Sequence, residues 1–115
     1  MKITKAQYRA CLSELPHYSD RLAYVSGLAL SAIWGDPDGC ESDIPAERLD
    51  VLRSIYDAAN RTVSQICAAA GLSARELADR FAIPVSTVFS WRSGHRDCPA
   101  YTRMMMQECL GLLAI

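Results

Sequence analysis

The side chains that could do chemistry in this chain are few, and their spacing does not bring them together. Five cysteines, Cys11, Cys40, Cys67, Cys98 and Cys109, are scattered through 115 residues. None forms a C-x-x-C pair, and His17 and His95 complete no metal-ligand spacing. An odd, scattered set points to reduced thiols rather than a disulfide framework. Asp36, Asp38 and Glu41 follow one another in a turn-rich stretch, but D-x-D-x-x-E lacks the twelve-residue calcium-loop pattern. No Ser-His-Asp, Cys-His or paired-carboxylate arrangement stands at readable positions. The expectation is therefore no catalysis, no cofactor and no metal. What remains is a set of hydroxyls and guanidiniums in the second half, chiefly Ser73, Arg75, Ser86, Ser90, Arg92, Ser93 and Arg96. Such groups bind anions and hydrogen-bond acceptors rather than make or break bonds.

Composition bounds the elements that must carry these groups. Half of the residues are hydrophobic, enough for a real core. The net charge is −1, and the sequence pI near 6.1 does not advertise a polyanion binder. The charge is unevenly spread, however. Residues 1–60 carry six cations against nine anions, net −3, and residues 61–115 carry six arginines against four acids, net +2. The opening MKITKAQYRA has no apolar run of signal-peptide length. The longest apolar stretch, Leu22 to Trp34, is broken by Ser26, Gly27 and Ser31 and is too short to span a membrane. A cytoplasmic protein without a membrane partner is expected.

The periodicity reads as helix throughout. Thr4 and Gln7 form an S/T-x-x-E/Q capping box before a helix reaching about Leu15, with Ala6, Tyr8, Cys11, Leu12 and Leu15 inward and Pro16 as its stop. Ser19 or Asp20 caps a second helix to about Trp34, with Leu22, Val25, Leu28, Ala29, Ala32 and Ile33 at helical spacing. Gly27 at its middle is read as a point of close helix packing, across a dimer. Gly35 to Gly39 is turn chemistry. Ser42 or Asp43, with Pro45, starts a third helix. A second capping box, Thr62 with Gln65, favours a break near Asn60 and a fourth helix ending at Gly71. A last helix follows Pro99, with Tyr101, Met104, Met105, Cys109 and Leu112 as its expected buried stripe. The fold class expected is all-α with about seven helices, divided into 1–60 and 61–115.

The most ordered pattern is Ala74 to Ser93, ARELADRFAIPVSTVFSWRS. Leu77 and Phe81 share one helical face, Val88 and Trp91 another, and Ile83 fills the corner between. Ser73 and Glu76 make a third capping box, and Pro84 suits the start of the next helix. With Gly71-Leu72-Ser73, Ala78, Ser86-Thr87-Val88, Gly94, Pro99 and Tyr101, this stretch resembles a helix-turn-helix of the phage-repressor (Cro/XRE-like) family, over about Thr62 to the C-terminus. Ala82 stands where that family often has glycine, and Arg92 where it often has glutamate.

The resemblance implies a double-stranded DNA reader whose second helix, Val85 to Arg92, enters the major groove. With Val88 and Trp91 on the core side, Val85, Ser86, Phe89 and Ser90 are left for base edges and thymine methyls. By the same resemblance Ser73, Arg75, Thr87, Arg92, Ser93, His95 and Arg96 would meet phosphates, Ser73 at a helix N-terminus that favours anions. The role implied is a small transcriptional regulator, repressor or antitoxin-like, acting as a homodimer through the N-terminal half, with a protein such as a toxin as a further partner. A second reading keeps the fold but makes the chain a protein-interaction module, with Phe89 facing the partner. A third is the DNA-docking subunit of a recombination or packaging enzyme.

Overall fold

The computed structural model describes residues 2–35 and 44–113. Among them lie seven α-helices and no strand, an all-α protein as expected. They are α1 (Lys5–Ser13), α2 (Arg21–Ala29), α3 (Ala46–Ala59), α4 (Val63–Ala70), α5 (Ala74–Phe81), α6 (Val85–Ser93) and α7 (Ala100–Cys109), with short 3-10 turns at Leu15–His17 and Ala32–Trp34. The chain divides into two compact units, one ending at Asp57 and one running Ala58–Leu113. No helix of the described residues is long and apolar enough to cross a membrane.

Local side chains explain where the helices start. Thr4 Oγ1 accepts from Gln7 N at 3.0 Å while Gln7 Oε1 accepts from Thr4 N at 2.9 Å. The same reciprocal pair, Thr62 with Gln65 at 3.2 and 2.9 Å, opens α4. Each box satisfies donors that a helix start otherwise leaves open. The Asp20 carboxylate caps α2 from Ala23 N at 2.8 Å.

The first unit is built around Tyr24, which is fully buried. Its hydroxyl donates to Cys11 O at 2.7 Å, and its ring meets Tyr18 edge-on at 5.8 Å and Tyr56 at 5.4 Å. Gly27 is the seat of Tyr18: a Cβ there would stand 2.6 Å from Tyr18 Cε1. The close approach at Gly27 is thus made within the chain, by a ring, and gives no support to packing across a dimer. Burial pushes the Cys11 thiol up to about 11 and the Tyr24 hydroxyl well above its ordinary value.

Several expectations for this unit need correction. Helix α2 stops at Ala29, not Trp34. Ser31 Oγ accepts from Ile33 N at 3.4 Å, so a local side-chain bond competes with the helix and starts a 3-10 turn. The carbonyls freed at the end of α2 are taken up by side chains: Trp34 Nε1 donates to Leu28 O at 2.7 Å and the buried Arg48 Nη1 to Ala29 O at 3.0 Å. The Arg48 guanidinium also lies 5.0 Å over the Trp34 ring. Leu22, expected inward, is 77% exposed, and Ala6 is exposed too. Helix α1 ends at Ser13, and Pro16 sits inside the following 3-10 turn. The expected cap of α3 at Ser42 or Asp43, and the acidic stretch from Asp36 to Glu41, lie outside the described residues.

In the second unit Val63, Ile66, Cys67, Ala74, Leu77, Ala78, Val88, Cys98 and Met106 form one buried cluster. Helices α3 and α4 separate at residues 60–62, and the ends of the break are held by α7. Arg103 Nη1 donates to Ala59 O and Arg61 O, each at 2.7 Å. The fully buried Gln107 donates through Nε2 to Ala58 O at 2.8 Å and accepts from Arg61 Nη1 at 3.1 Å. The inward stripe of α7 is therefore Met104, Met106 and Gln107, with Arg103 and Leu110 half-buried. Tyr101, Met105 and Cys109, expected inside, are exposed.

This packing orders the cysteines by reactivity. Among the described cysteines, a thiol probe on native protein is expected to modify the exposed Cys109 first, and the buried Cys11 and Cys67 only at the rate of unfolding. Peptide mass mapping over time checks this, and rapid native labelling of Cys11 would contradict the packing around Tyr24.

Candidate nucleic-acid interface

Helices α5 and α6 are short, and their mutual placement is decided by the three residues between them. Ser73 Oγ accepts from Glu76 N at 3.1 Å, and Glu76 Oε1 accepts from Ser73 N at 3.0 Å, which fixes the start of α5. Ala74, Leu77 and Ala78 are buried along one side of it. At its end Ala82 adopts the left-handed conformation, with φ 53° and ψ 42°. Ile83 N then reaches back to Ala78 O at 2.9 Å, the six-to-one bond of a Schellman ending. Gly71 ends α4 in the same way, with Leu72 N bonded to Cys67 O at 3.0 Å. Ala82 is the one described non-glycine residue with positive φ. Pro84 follows and α6 begins at Val85 without a side-chain cap.

Helix α6 packs on α4 and α5. Val88 is fully buried, and Trp91, Val85, Phe81 and Ile83 are half-buried against the same cluster. The outward face consists of Ser86, Phe89, Arg92 and Ser93, all exposed, with Ser90 half-buried beside them. Val85 differs from the sequence expectation. It stands three residues before Val88, so one helical face carries both against the core, and little of it is left for a groove. Thr87 is also half-buried. Phe89 is 47% exposed, an unusual place for a phenyl ring on a small domain.

The groups expected to meet phosphate are mostly at the surface. Ser73, Arg75, Arg92, Ser93, His95 and Arg96 are exposed. Two hydrogen bonds shape the loop after α6: Ser93 Oγ and Arg96 N both donate to Ser90 O, each at 3.2 Å. They bring Arg96 back toward the end of α6. The positive charge of Arg92 reaches the buried Cys67 thiol, where it opposes burial, the larger effect, which pushes that thiol up. At the start of α5, hydrogen bonds from Ser73 hold the Glu76 carboxyl below its ordinary value. Its position in the first turn is also the favourable end of the helix dipole for an anion.

Among the described residues no group of His, Cys, Asp and Glu is placed to hold a metal ion. Sequence reasoning missed Arg103 as a structural residue. Its partners lie far upstream, and no local pattern announces them. Compared with protein-family models, with curated proteins and with solved structures, the chain matches none.

Two substitutions test this geometry. Ala82→Gly removes the left-handed penalty at a small entropic cost in the unfolded chain, so thermal or denaturant unfolding should show a net gain of about 0.5–1 kcal/mol. Ser73→Ala should cost about 1 kcal/mol at neutral pH. Because the Glu76 pKa is lowered in the folded state, its contribution is present above the ordinary glutamate value and is lost as pH falls through the lowered one. Glu76→Gln, which retains an oxygen acceptor, should therefore flatten the acid limb of a stability-against-pH curve relative to wild type.

Proposed function

We propose that this chain is a DNA-binding protein that presents α6 to the major groove, and that it serves as a small transcriptional regulator of the repressor or antitoxin type. The observation that carries the reading is the division of α6 into two faces. Val85, Val88 and Trp91 anchor it, while Ser86, Phe89, Arg92 and Ser93 stand outward on a helix whose angle is set by a tight left-handed corner. A helix read by base edges needs this rigidity on one side and freedom on the other. Ser86 offers a hydroxyl to base edges and Phe89 an apolar contact for a thymine methyl. Arg75, Arg92 and Arg96, all exposed, supply charge for phosphates on the same unit, and the exposed His95 a ring N–H donor. The resemblance of this stretch to phage-repressor proteins supports the same reading. The outward face lacks Arg, Asn or Gln at Ser86 and Phe89, where strong bidentate base pairing would be made. Sequence preference is therefore modest and leans on DNA shape. One short helix covers few base pairs, so the reading includes a cytoplasmic homodimer that spans two half-sites.

A second reading follows from Phe89 alone. A phenyl ring 47% exposed at the centre of an outward face also suits a protein partner, such as a toxin, on the same helix.

Binding to random duplex DNA across a salt series separates the two. For a DNA reader, affinity falls steeply with salt, and the Arg92→Ala/Arg96→Ala double variant flattens the log–log slope by about one to two units. A folded wild-type protein that binds no duplex even at low salt would sink the DNA reading and leave the Phe89 surface to a protein partner.

A further inference from the structure

A pocket of about 510 Å³ opens at the start of α7, beside the end of α6, lined in part by Thr62, Trp91, Arg96, Asp97, Ala100 and Arg103. Its most telling member is Arg103. This side chain is half-buried, and its guanidinium is held at two of its three nitrogens: Nε donates to Cys98 O at 3.2 Å and Nη1 to Ala59 O and Arg61 O at 2.7 Å. All three acceptors are neutral carbonyls. Nη2 has no hydrogen-bond partner, and Arg103 forms no ion pair, among the described residues. A half-buried cation that is held rigidly, with donor capacity left over and no ion pair of its own, is preorganised for an external oxyanion. Its field reaches the neighbouring Cys98, where it opposes the effect of burial on the thiol.

The rest of the lining narrows the class of ligand. Arg96 is the second arginine of the lining and Asp97 its one acid, so the lining is net positive. Trp91 contributes an aromatic surface, and Val63 and Pro99 are apolar. The volume lies within the range of about 300–1,000 Å³ usual for small-ligand sites, and a bare phosphate would leave most of it empty. An oxyanion for two arginines, a flat ring for a tryptophan and hydroxyl donors for an aspartate belong together in one class of small molecule. We propose that this pocket binds a nucleoside monophosphate, with the phosphate on Arg103 and Arg96, the base against Trp91 and the ribose hydroxyls toward Asp97. The proposal does not rest on the DNA reading, because the pocket is complete within the protein.

Calorimetric titration of the full chain, without nucleic acid, tests it with AMP, adenosine and inorganic phosphate as probes. AMP is expected to saturate one site with a Kd at or below about 1 mM. Adenosine and phosphate, each lacking half of the recognition, should bind at least about tenfold more weakly. Arg96→Ala should weaken AMP about tenfold by removing one charged donor. Arg92→Ala, outside the lining, should stay within about twofold because its charge is exposed and screened. Arg103→Lys keeps the charge but loses the fork, and should also weaken AMP about tenfold. Since Arg103 holds the linker as well, that variant counts only if circular dichroism shows it folded, and Arg96→Ala carries the test otherwise. The proposal is overturned if wild type shows no saturable AMP binding, if phosphate or adenosine binds as tightly as AMP, or if Arg96→Ala binds AMP unchanged. None of these outcomes touches the salt dependence of duplex binding, so the two readings fail separately.

Discussion

The geometry of the second unit depends on a peptide that must turn back on itself between Phe81 and Val85. Three residues suffice only because Ala82 takes a left-handed conformation and lets Ile83 N close back onto Ala78 O. With a residue in the ordinary helical region there, α5 would run on and α6 would lose its seat. A Cβ in that conformation costs about 1–2 kcal/mol, and the structure offsets it with buried contacts on both sides of the corner. Leu77 and Ala78 before it and Val88 after it are all members of one cluster. The corner therefore sets the face of α6, and the face decides which side chains are free to meet another molecule.

A second constraint lies at the break between α3 and α4. The last carbonyls of a helix must find donors, and here they do so across the unit, from Arg103 and Gln107. Gln107 is buried and fully engaged, giving to Ala58 O and taking from Arg61. Removing either partner would strand a buried polar group, which costs about 1–3 kcal/mol. The linker is thus a defined piece of structure with a specified path. The same arrangement holds Arg103 by Nε and Nη1 and leaves Nη2 open. The surface pair Arg21–Asp57, at 2.8 Å but half exposed on both sides, bears far less weight.

How much of this could be read beforehand depended on the range of each interaction. The three capping boxes were legible because Thr4 with Gln7, Thr62 with Gln65 and Ser73 with Glu76 complete their bonds within four residues. The break near Asn60 was legible for the same reason. Helix α2 was overextended, since a tryptophan reaching back to Leu28 O and an arginine reaching Ala29 O from 19 residues downstream are invisible to periodicity. In α7 the run Met104-Met105-Met106 offers two overlapping apolar stripes. The choice between them was made by Gln107 and Arg103, whose acceptors lie 49 and 44 residues upstream. Val85 lies half-buried on the core side, as its spacing of three from Val88 dictates. Of the four side chains expected outward on α6, Ser86 and Phe89 are exposed and Ser90 is half-buried, yet what they meet is a matter of a second molecule, about which no single chain's spacing speaks.

None of the helices α4 to α7 exceeds ten residues. Segments below roughly 12–15 residues do not persist alone in water. Each of these helices is therefore on loan from its neighbours: the caps choose its ends, but only the shared cluster keeps it wound. Such a unit has little room for partial opening, and its amides should lose hydrogen-exchange protection together rather than helix by helix. A molecule that binds at any one surface of it then tightens all four helices at once, which gives distant faces of a very small domain a common language without any moving part.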